Sequence, residues 1–64
     1  MKYLIYCPKY KLYAGELQKD GFQSHTAIEM AHKFNSYDRA KEIANLLTLF
    51  IYYAPTKIIN YENK

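Results

Sequence analysis

The chain has 64 residues, of which half are apolar and 23% charged, with eight tyrosines and a formal net charge of +3. This composition excludes a disordered chain, and the length allows one small domain of marginal stability. The single cysteine, Cys7, excludes an internal disulfide and an all-cysteine metal site, and it is typical of a reducing compartment. We expect a soluble cytoplasmic protein, because residues 3–7 are too short for a signal peptide and residues 46–54 too short to span a membrane.

Two short runs near the N-terminus predict a β-hairpin. Residues 3–7 are β-branched and aromatic, Pro8-Lys9 is a turn signal, and residues 10–14 form the second run. Because alternation along the first run leaves neither face polar, we expect a sheet that is covered on both sides. Residues 16–21 are polar and end in the turn-forming pair Asp20-Gly21, which predicts a loop.

Residues 24–34 have two interpretations. Thr26 and Glu29 have capping-box spacing, which favours a short helix that reaches Phe34 and joins the next helix at Asn35-Ser36. The alternative is one helical turn over residues 26–30 followed by a short strand over residues 31–34. We favour the second interpretation, because a two-residue joint is shorter than the three or four residues of a DNA-binding helix-turn-helix.

The strongest pattern predicts one main helix over residues 36–53. Asn35 and Ser36 are both good N-caps, and Asp38 places negative charge in the first turn. Apolar residues then recur at helical spacing, which predicts a buried face made of Ala40, Ile43, Ala44, Leu47, Phe50, Ile51 and Ala54. The opposite, polar face is made of Asp38, Lys41, Glu42, Asn45, Thr48 and Tyr52.

Pro55 disfavours helical backbone at Ala54, so the helix should end by about Tyr53. In the competing interpretation the helix ends near Leu47, and residues 48–53, rich in β-branched and aromatic side chains, form a strand. Residues 56–61 predict a final strand and residues 62–64 a frayed end. The expected fold is therefore α+β, with a small antiparallel sheet of about three to four strands in ββ(β)αβ order and one main α-helix packed across one face.

The run AHKFNSYDRAKEIANLL, which follows a hairpin and precedes KII, resembles short uncharacterised phage and prophage proteins of AT-rich Gram-positive bacteria. In those proteins a small residue, a two-residue polar gap and Phe lead into a capped helix with Ala and Ile on its buried face. The resemblance implies a small antiparallel sheet crossed by one helix, a phage origin and a location in the host cytoplasm. It supplies no functional residues.

Candidate catalytic and metal-ligating residues are few. Cys7 could pair with His25 or His32 as nucleophile and base, but the chain has no third orienting group, and a cysteine in an apolar strand behaves as a small hydrophobe. Glu29 and His32 share one helical face, yet metal sites built on that spacing need several copies of it. The two glycines form no phosphate-binding motif. We therefore expect a non-enzymatic protein without catalytic residues, cofactor or metal.

The later half of the predicted helix is apolar almost all round, because Leu46, Leu49 and Tyr53 add a second stripe beside the first. Either this stripe completes the protein's own small core, or it binds a second copy or another protein. We favour a protein interface and expect it to consist of Leu46, Leu49, Tyr52, Tyr53, Tyr6 and Tyr13. With the phage resemblance, the expected function is inhibition of a host protein, for example as an anti-defence or anti-CRISPR factor, with a homodimer as a further possibility.

The second hypothesis is a small nucleic-acid-binding regulator. Lysines alternate with tyrosines, which is the composition of a surface for single-stranded nucleic acid, and the expected residues are Lys9, Tyr10, Lys11, Tyr13 and Lys57. The modest net charge and the single arginine argue against this hypothesis.

Overall fold

The structure is a computed structural model, and it describes residues 1–61; the predicted frayed end at residues 62–64 lies outside them. Four antiparallel strands form one sheet in the order β3-β2-β1-β4, and a helix packs across one of its faces. The elements are β1 (Lys2–Cys7), β2 (Leu12–Gln18), β3 (Gly21–His25), a 3-10 turn (Ile28–Met30), α1 (Tyr37–Leu46), a π-helical turn (Leu47–Ile51) and β4 (Lys57–Tyr61). The expected α+β class is confirmed.

The first hairpin and the final strand are present as predicted, except that Tyr10 and Lys11, predicted to begin the second strand, belong to the turn before it. β1 pairs with β2 through Tyr6 opposite Tyr13, and with β4 from Lys2 to Tyr6. Lys11 ends the connecting turn with φ 56°, a left-handed conformation that is uncommon for residues other than glycine. β1 and β2 are therefore the two inner strands of the sheet.

The loop predicted over residues 16–21 is wrong. β2 continues to Gln18, turns at Lys19-Asp20, and pairs with a strand that begins at Gly21. A register shift follows Ala14, and at this point Gly15 lies so close to β3 that an added Cβ would sit 2.7 Å from the carbonyl oxygen of Gln23. The outer part of this hairpin is exposed, so no apolar pattern marked it as a strand.

Residues 26–34 follow the second interpretation in part. One helical turn is present as the 3-10 turn, but the expected strand over residues 31–34 is reduced to a single bridge between Phe34 and Tyr3. Their two backbone hydrogen bonds are 2.9 and 2.8 Å long, and the amide of His32 donates to the carbonyl of Ala14 at 3.0 Å. This segment therefore supplies backbone partners to β1 and β2 near the point where their own pairing ends.

The main helix begins at the predicted cap. Ser36 has extended backbone, and its hydroxyl accepts a hydrogen bond from the amide of Arg39 at 3.4 Å. Asn35, the other predicted cap, instead accepts a hydrogen bond from the ammonium group of Lys2. The alternative strand over residues 48–53 is wrong, because the helix continues beyond Leu46 as the π-helical turn.

The π-helical turn changes which side chains are buried. The amide of Tyr52 donates to the carbonyl of Leu47, five residues earlier, at 2.7 Å. One extra residue in this turn rotates the following side chains relative to an α-helix. Phe50 and Ile51, predicted to be buried, are exposed, whereas Tyr52, predicted to be on the polar face, is buried.

The core lies between the helix and one face of the sheet. The helix contributes Ala40, Ile43, Ala44 and Leu47, and the sheet contributes Ile5, Cys7 and Ala14; Phe34, Tyr52 and Ala54 complete the cluster. Leu4, which alternates with Ile5 and so projects to the opposite face, is also fully buried. Within residues 1–61, no helix has the length and apolarity that crossing a membrane requires.

Candidate interaction surfaces

Five large apolar side chains are exposed at the C-terminal end of the helix. We call them the helix-end patch: Leu46 is 41% exposed, Leu49 62%, Phe50 65%, Ile51 44% and Tyr53 75%. Three of them were predicted as interface residues, and Phe50 and Ile51 were not, because the sequence pattern placed them in the core. Scattered exposed apolar residues are ordinary, but a run of this density on so small a protein is typical of an interaction site.

The backbone of the helix-end patch has two unusual features. One is the π-helical turn, which is rare and occurs often at functional sites. The other is Tyr53, which follows the helical end in a left-handed conformation with φ 52°. That position is most often Gly, because a Cβ costs about 1–2 kcal/mol there. Tyr53 adopts this unfavourable conformation although most of its ring is exposed, so packing of its side chain in the core does not offset the cost.

The helix-end patch is electrically neutral. Residues 46–53 contain no charged side chain. The ion pair between Arg39 and Glu42 lies on the first turns of the helix, away from the patch. Any contact made by the patch therefore depends on the burial of apolar surface.

Tyr52 does not belong to an exposed interface, contrary to the prediction. It is 5% exposed, and its hydroxyl shares a hydrogen bond of 2.7 Å with the Ser24 hydroxyl. Its ring lies 6.0 Å from the Phe22 ring in an edge-to-face arrangement. Burial raises the pKa of Tyr52 above its ordinary value of 10.0; the hydrogen bond with Ser24 lowers this pKa in part, and the coulombic interaction with nearby Cys7 raises it further. Tyr52 therefore joins the helix to β3.

Tyr6 and Tyr13 lie on the sheet face opposite the helix, which we call the outer face. Each alternates with a core residue of its own strand, and strand pairing places the two rings side by side with centroids 4.7 Å apart. They are half-buried. The six predicted interface residues are thus divided: Leu46, Leu49 and Tyr53 share the helix-end patch, Tyr52 is in the core, and the two tyrosines face the other way.

The outer face also contains part of the predicted nucleic-acid surface. Strand pairing aligns one residue from each strand into a single row, which we call the outer row: His25, Tyr13, Tyr6 and Lys57. His25 was missed as a member because β3 was interpreted as a loop and an undecided segment. The one local signal for this strand, the alternation of Phe22 and Ser24 with Gln23 and His25, is weak because only Phe22 is strongly apolar.

The other predicted nucleic-acid residues lie elsewhere. Lys9, Tyr10 and Lys11 form the turn between β1 and β2. The Tyr10 ring lies 6.3 Å from the Tyr52 ring, on the helix side, and the Lys9 ammonium lies 5.5 Å from the Tyr10 ring. Only Tyr13 and Lys57 of the predicted five belong to the outer row.

The groups considered for catalysis or metal binding are separated. Cys7 is fully buried in the core, whereas His25 is on the outer face and the His32 ring packs edge-on against Phe34 at 4.6 Å. Among residues 1–61, no group of three or more His, Cys, Asp and Glu side chains is arranged to hold a metal ion. A buried thiol is not accessible to a substrate.

No protein-family model matches the chain, and neither curated proteins nor solved structures show significant similarity to it. The helix-end patch and the outer face are therefore the features that bear on function.

Proposed function

We propose that this protein is a non-enzymatic binding module that inserts its helix-end patch into an apolar groove of a partner protein. The observation that carries the proposal is the exposure of Leu49, Phe50 and Tyr53, each more than 60% accessible on a chain of 64 residues. Burying one such side chain contributes about 1.5–3 kcal/mol.

The spacing of the patch fits one recognised mode of binding. Leu46, Leu49 and Phe50 are at positions i, i+3 and i+4 of the helical segment, which are anchor positions of a helix that lies in a hydrophobic groove. Tyr53 follows the end of the helix in left-handed backbone. Tyrosine at the end of the series buries a large ring while keeping its hydroxyl at the wet edge of the interface.

The conformation of Tyr53 supports the same proposal. A residue that adopts left-handed backbone with its ring in solvent lowers the stability of the isolated protein, and such residues are concentrated at functional sites. Glycine at this position would be the more stable choice. A partner that receives the ring explains why tyrosine is present.

The proposed partner is a host protein, and the proposed effect is inhibition by covering one of its surfaces. This part of the proposal is supported by the resemblance of residues 31–47 to small phage and prophage proteins. An anti-defence role, such as blocking a restriction or CRISPR effector, is one specific form of it.

The test compares tagged variants in a lysate of a Gram-positive host. Leu49→Ser removes an anchor of the patch, and Met30→Ser removes an apolar side chain of similar exposure, 61%, from the distant 3-10 turn. We expect the wild type and Met30→Ser to recover the same protein and Leu49→Ser to lose it. Recovery of that protein by all three in equal amounts would contradict the proposal.

Tyr53→Gly separates binding from folding. Because glycine adopts left-handed backbone without a Cβ penalty, the variant should unfold at an equal or higher urea concentration than the wild type. It should nevertheless bind the partner more weakly. Binding that is unchanged would exclude Tyr53 from the interface.

The mass in solution distinguishes a foreign partner from a second copy. We expect a monomer by light scattering at micromolar concentration. A dimer that Leu49→Ser dissociates would show that the patch binds its own copy, and it would replace the host protein as the occupant.

A further inference from the structure

The outer row combines features that favour a polyanion with exposed bases. It crosses all four strands, so at a strand spacing of about 4.8 Å it extends over roughly 14 Å. Three of its members are aromatic rings, and Lys57, exposed on the edge strand, adds a positive charge at one end. None of the four is acidic.

The same face carries two further lysines near a tyrosine. Lys2 pairs with Tyr61 on the adjoining strands, and the Lys33 ammonium lies 5.3 Å from the Tyr61 ring. Glu16 lies on β2 within the register shift between Ala14 and Leu17, where it lines a cavity with His25, and its carboxylate accepts a hydrogen bond from the Gln18 side chain at 3.1 Å. The lysines therefore border the tyrosines without a carboxylate in the row between them.

We propose that the outer row binds single-stranded nucleic acid, with bases stacked on Tyr13 and Tyr6 and phosphates contacting Lys57. Every base has a face that can stack on an aromatic ring, so such a surface binds many sequences. A row of tyrosines edged by lysines matches both parts of this ligand, the flat base and the negative backbone. The helix covers the other face of the sheet, so this site is independent of the helix-end patch and can be occupied at the same time.

The test is fluorescence anisotropy with a labelled oligo-dT and a labelled oligo-rU, each of about 12 nucleotides, at roughly 50 mM salt. Tyr13→Ile keeps a strand-forming apolar residue but removes the ring, and we expect it to weaken binding by roughly 5- to 100-fold. Tyr13→Phe keeps the ring and should bind like the wild type. The two oligonucleotides decide whether DNA, RNA or both are bound.

Charge is tested with a matched pair of variants. Lys57→Gln and Lys41→Gln remove the same charge, but Lys41 is exposed on α1, on the other side of the sheet. Lys57→Gln should weaken binding more and reduce the dependence of log affinity on log salt by about one unit. This pair also decides the matter if Tyr13→Ile does not fold.

Three results would overturn the inference. They are no binding of either oligonucleotide at roughly 50 mM salt, equal losses for Lys57→Gln and Lys41→Gln, and full binding by a folded Tyr13→Ile. Leu49→Ser should bind the oligonucleotides like the wild type, so failure of this inference is distinguishable from failure of the proposed protein-binding function.

Discussion

The amide of Tyr52 donates a hydrogen bond of 2.7 Å to the carbonyl of Leu47, and this bond determines which side chains at the end of the helix are buried. In a regular α-helix the corresponding donor to Leu47 would be Ile51. The longer loop of the π-helical turn advances the buried position by one residue, so that Tyr52 enters the core and Ile51 turns to solvent. The exposure of Phe50 and Ile51, which the regular helical pattern places in the core, thus follows from the π-helical turn.

Truncation of Tyr52 should lower the stability of the protein far more than truncation of its neighbour Tyr53. Tyr52→Ala removes a buried aromatic ring and should lower the free energy of unfolding by about 3–5 kcal/mol, enough to unfold much of so small a domain. Tyr53→Ala removes an exposed ring and should change it by less than about 0.5 kcal/mol. Urea titrations followed by circular dichroism measure both, and equal effects would contradict the burial of Tyr52 and the exposure of Tyr53.

The pKa of Tyr52 predicts a dependence of stability on alkaline pH. Burial raises this pKa above 10.0 in the folded state, so the unfolded chain loses the phenolic proton first as the pH rises. The stability that this group contributes is fully present below pH 10.0 and is lost as the pH rises through the folded-state pKa. Tyr52→Phe should therefore lose less stability than the wild type above that pH.

The same variant is informative at neutral pH. Tyr52→Phe breaks the bond to Ser24 and should cost about 1 kcal/mol. Tyr53→Phe controls for removal of one phenol from the chain. If the stability of Tyr52→Phe falls with rising alkaline pH as steeply as that of the wild type, Tyr52 is not the source of this pH dependence. Urea midpoints at pH 7 and at a series of alkaline pH values supply both measurements.

The sequence pattern was sufficient for the elements whose apolar spacing is regular. The helix begins after Ser36 because of a capping side chain, and β1 and β4 contain short apolar runs, so these three elements lie where predicted. The π-helical turn was not predictable in this way. Residues 46–53 are uncharged throughout, so a pattern of apolar residues cannot say which of them face the core.

β3 was missed for a different reason. Its residues alternate between the core side, with Phe22 and Ser24, and the outer face, with Gln23 and His25, but only Phe22 is strongly apolar. The strand is stabilised by pairing with β2 and by the Tyr52 hydroxyl on Ser24, a contact with a residue 28 positions away. Local sequence carries no information about such a distant partner, so the residues predicted for this surface did not include His25.

Gly15 and Gly21 should differ in their tolerance of a methyl group. Gly15→Ala would place Cβ 2.7 Å from the Gln23 carbonyl oxygen and 3.0 Å from the His25 ring, and the backbone atom cannot move without breaking the β2–β3 pairing. We expect a loss of about 1–3 kcal/mol in the free energy of unfolding. Gly21→Ala meets no atom within 4 Å and should be neutral or slightly stabilising. Thermal melts of the two variants compare them, and equal melting temperatures would contradict the close approach at Gly15.

Substitutions of Asn35 and Ser36, two adjacent candidates for the helix cap, should differ in their effect on stability. The Ser36 hydroxyl accepts the first-turn amide of Arg39, so Ser36→Ala leaves that amide without its side-chain partner and should cost about 1 kcal/mol. Asn35 makes its side-chain contact with Lys2 at the exposed surface, and Asn35→Ala should cost less than about 0.5 kcal/mol. Ser36→Thr, which keeps a capping hydroxyl, should recover most of the loss. Urea unfolding of the three variants provides the comparison. A larger loss of stability for Asn35→Ala than for Ser36→Ala would contradict the assignment of Ser36 as the cap.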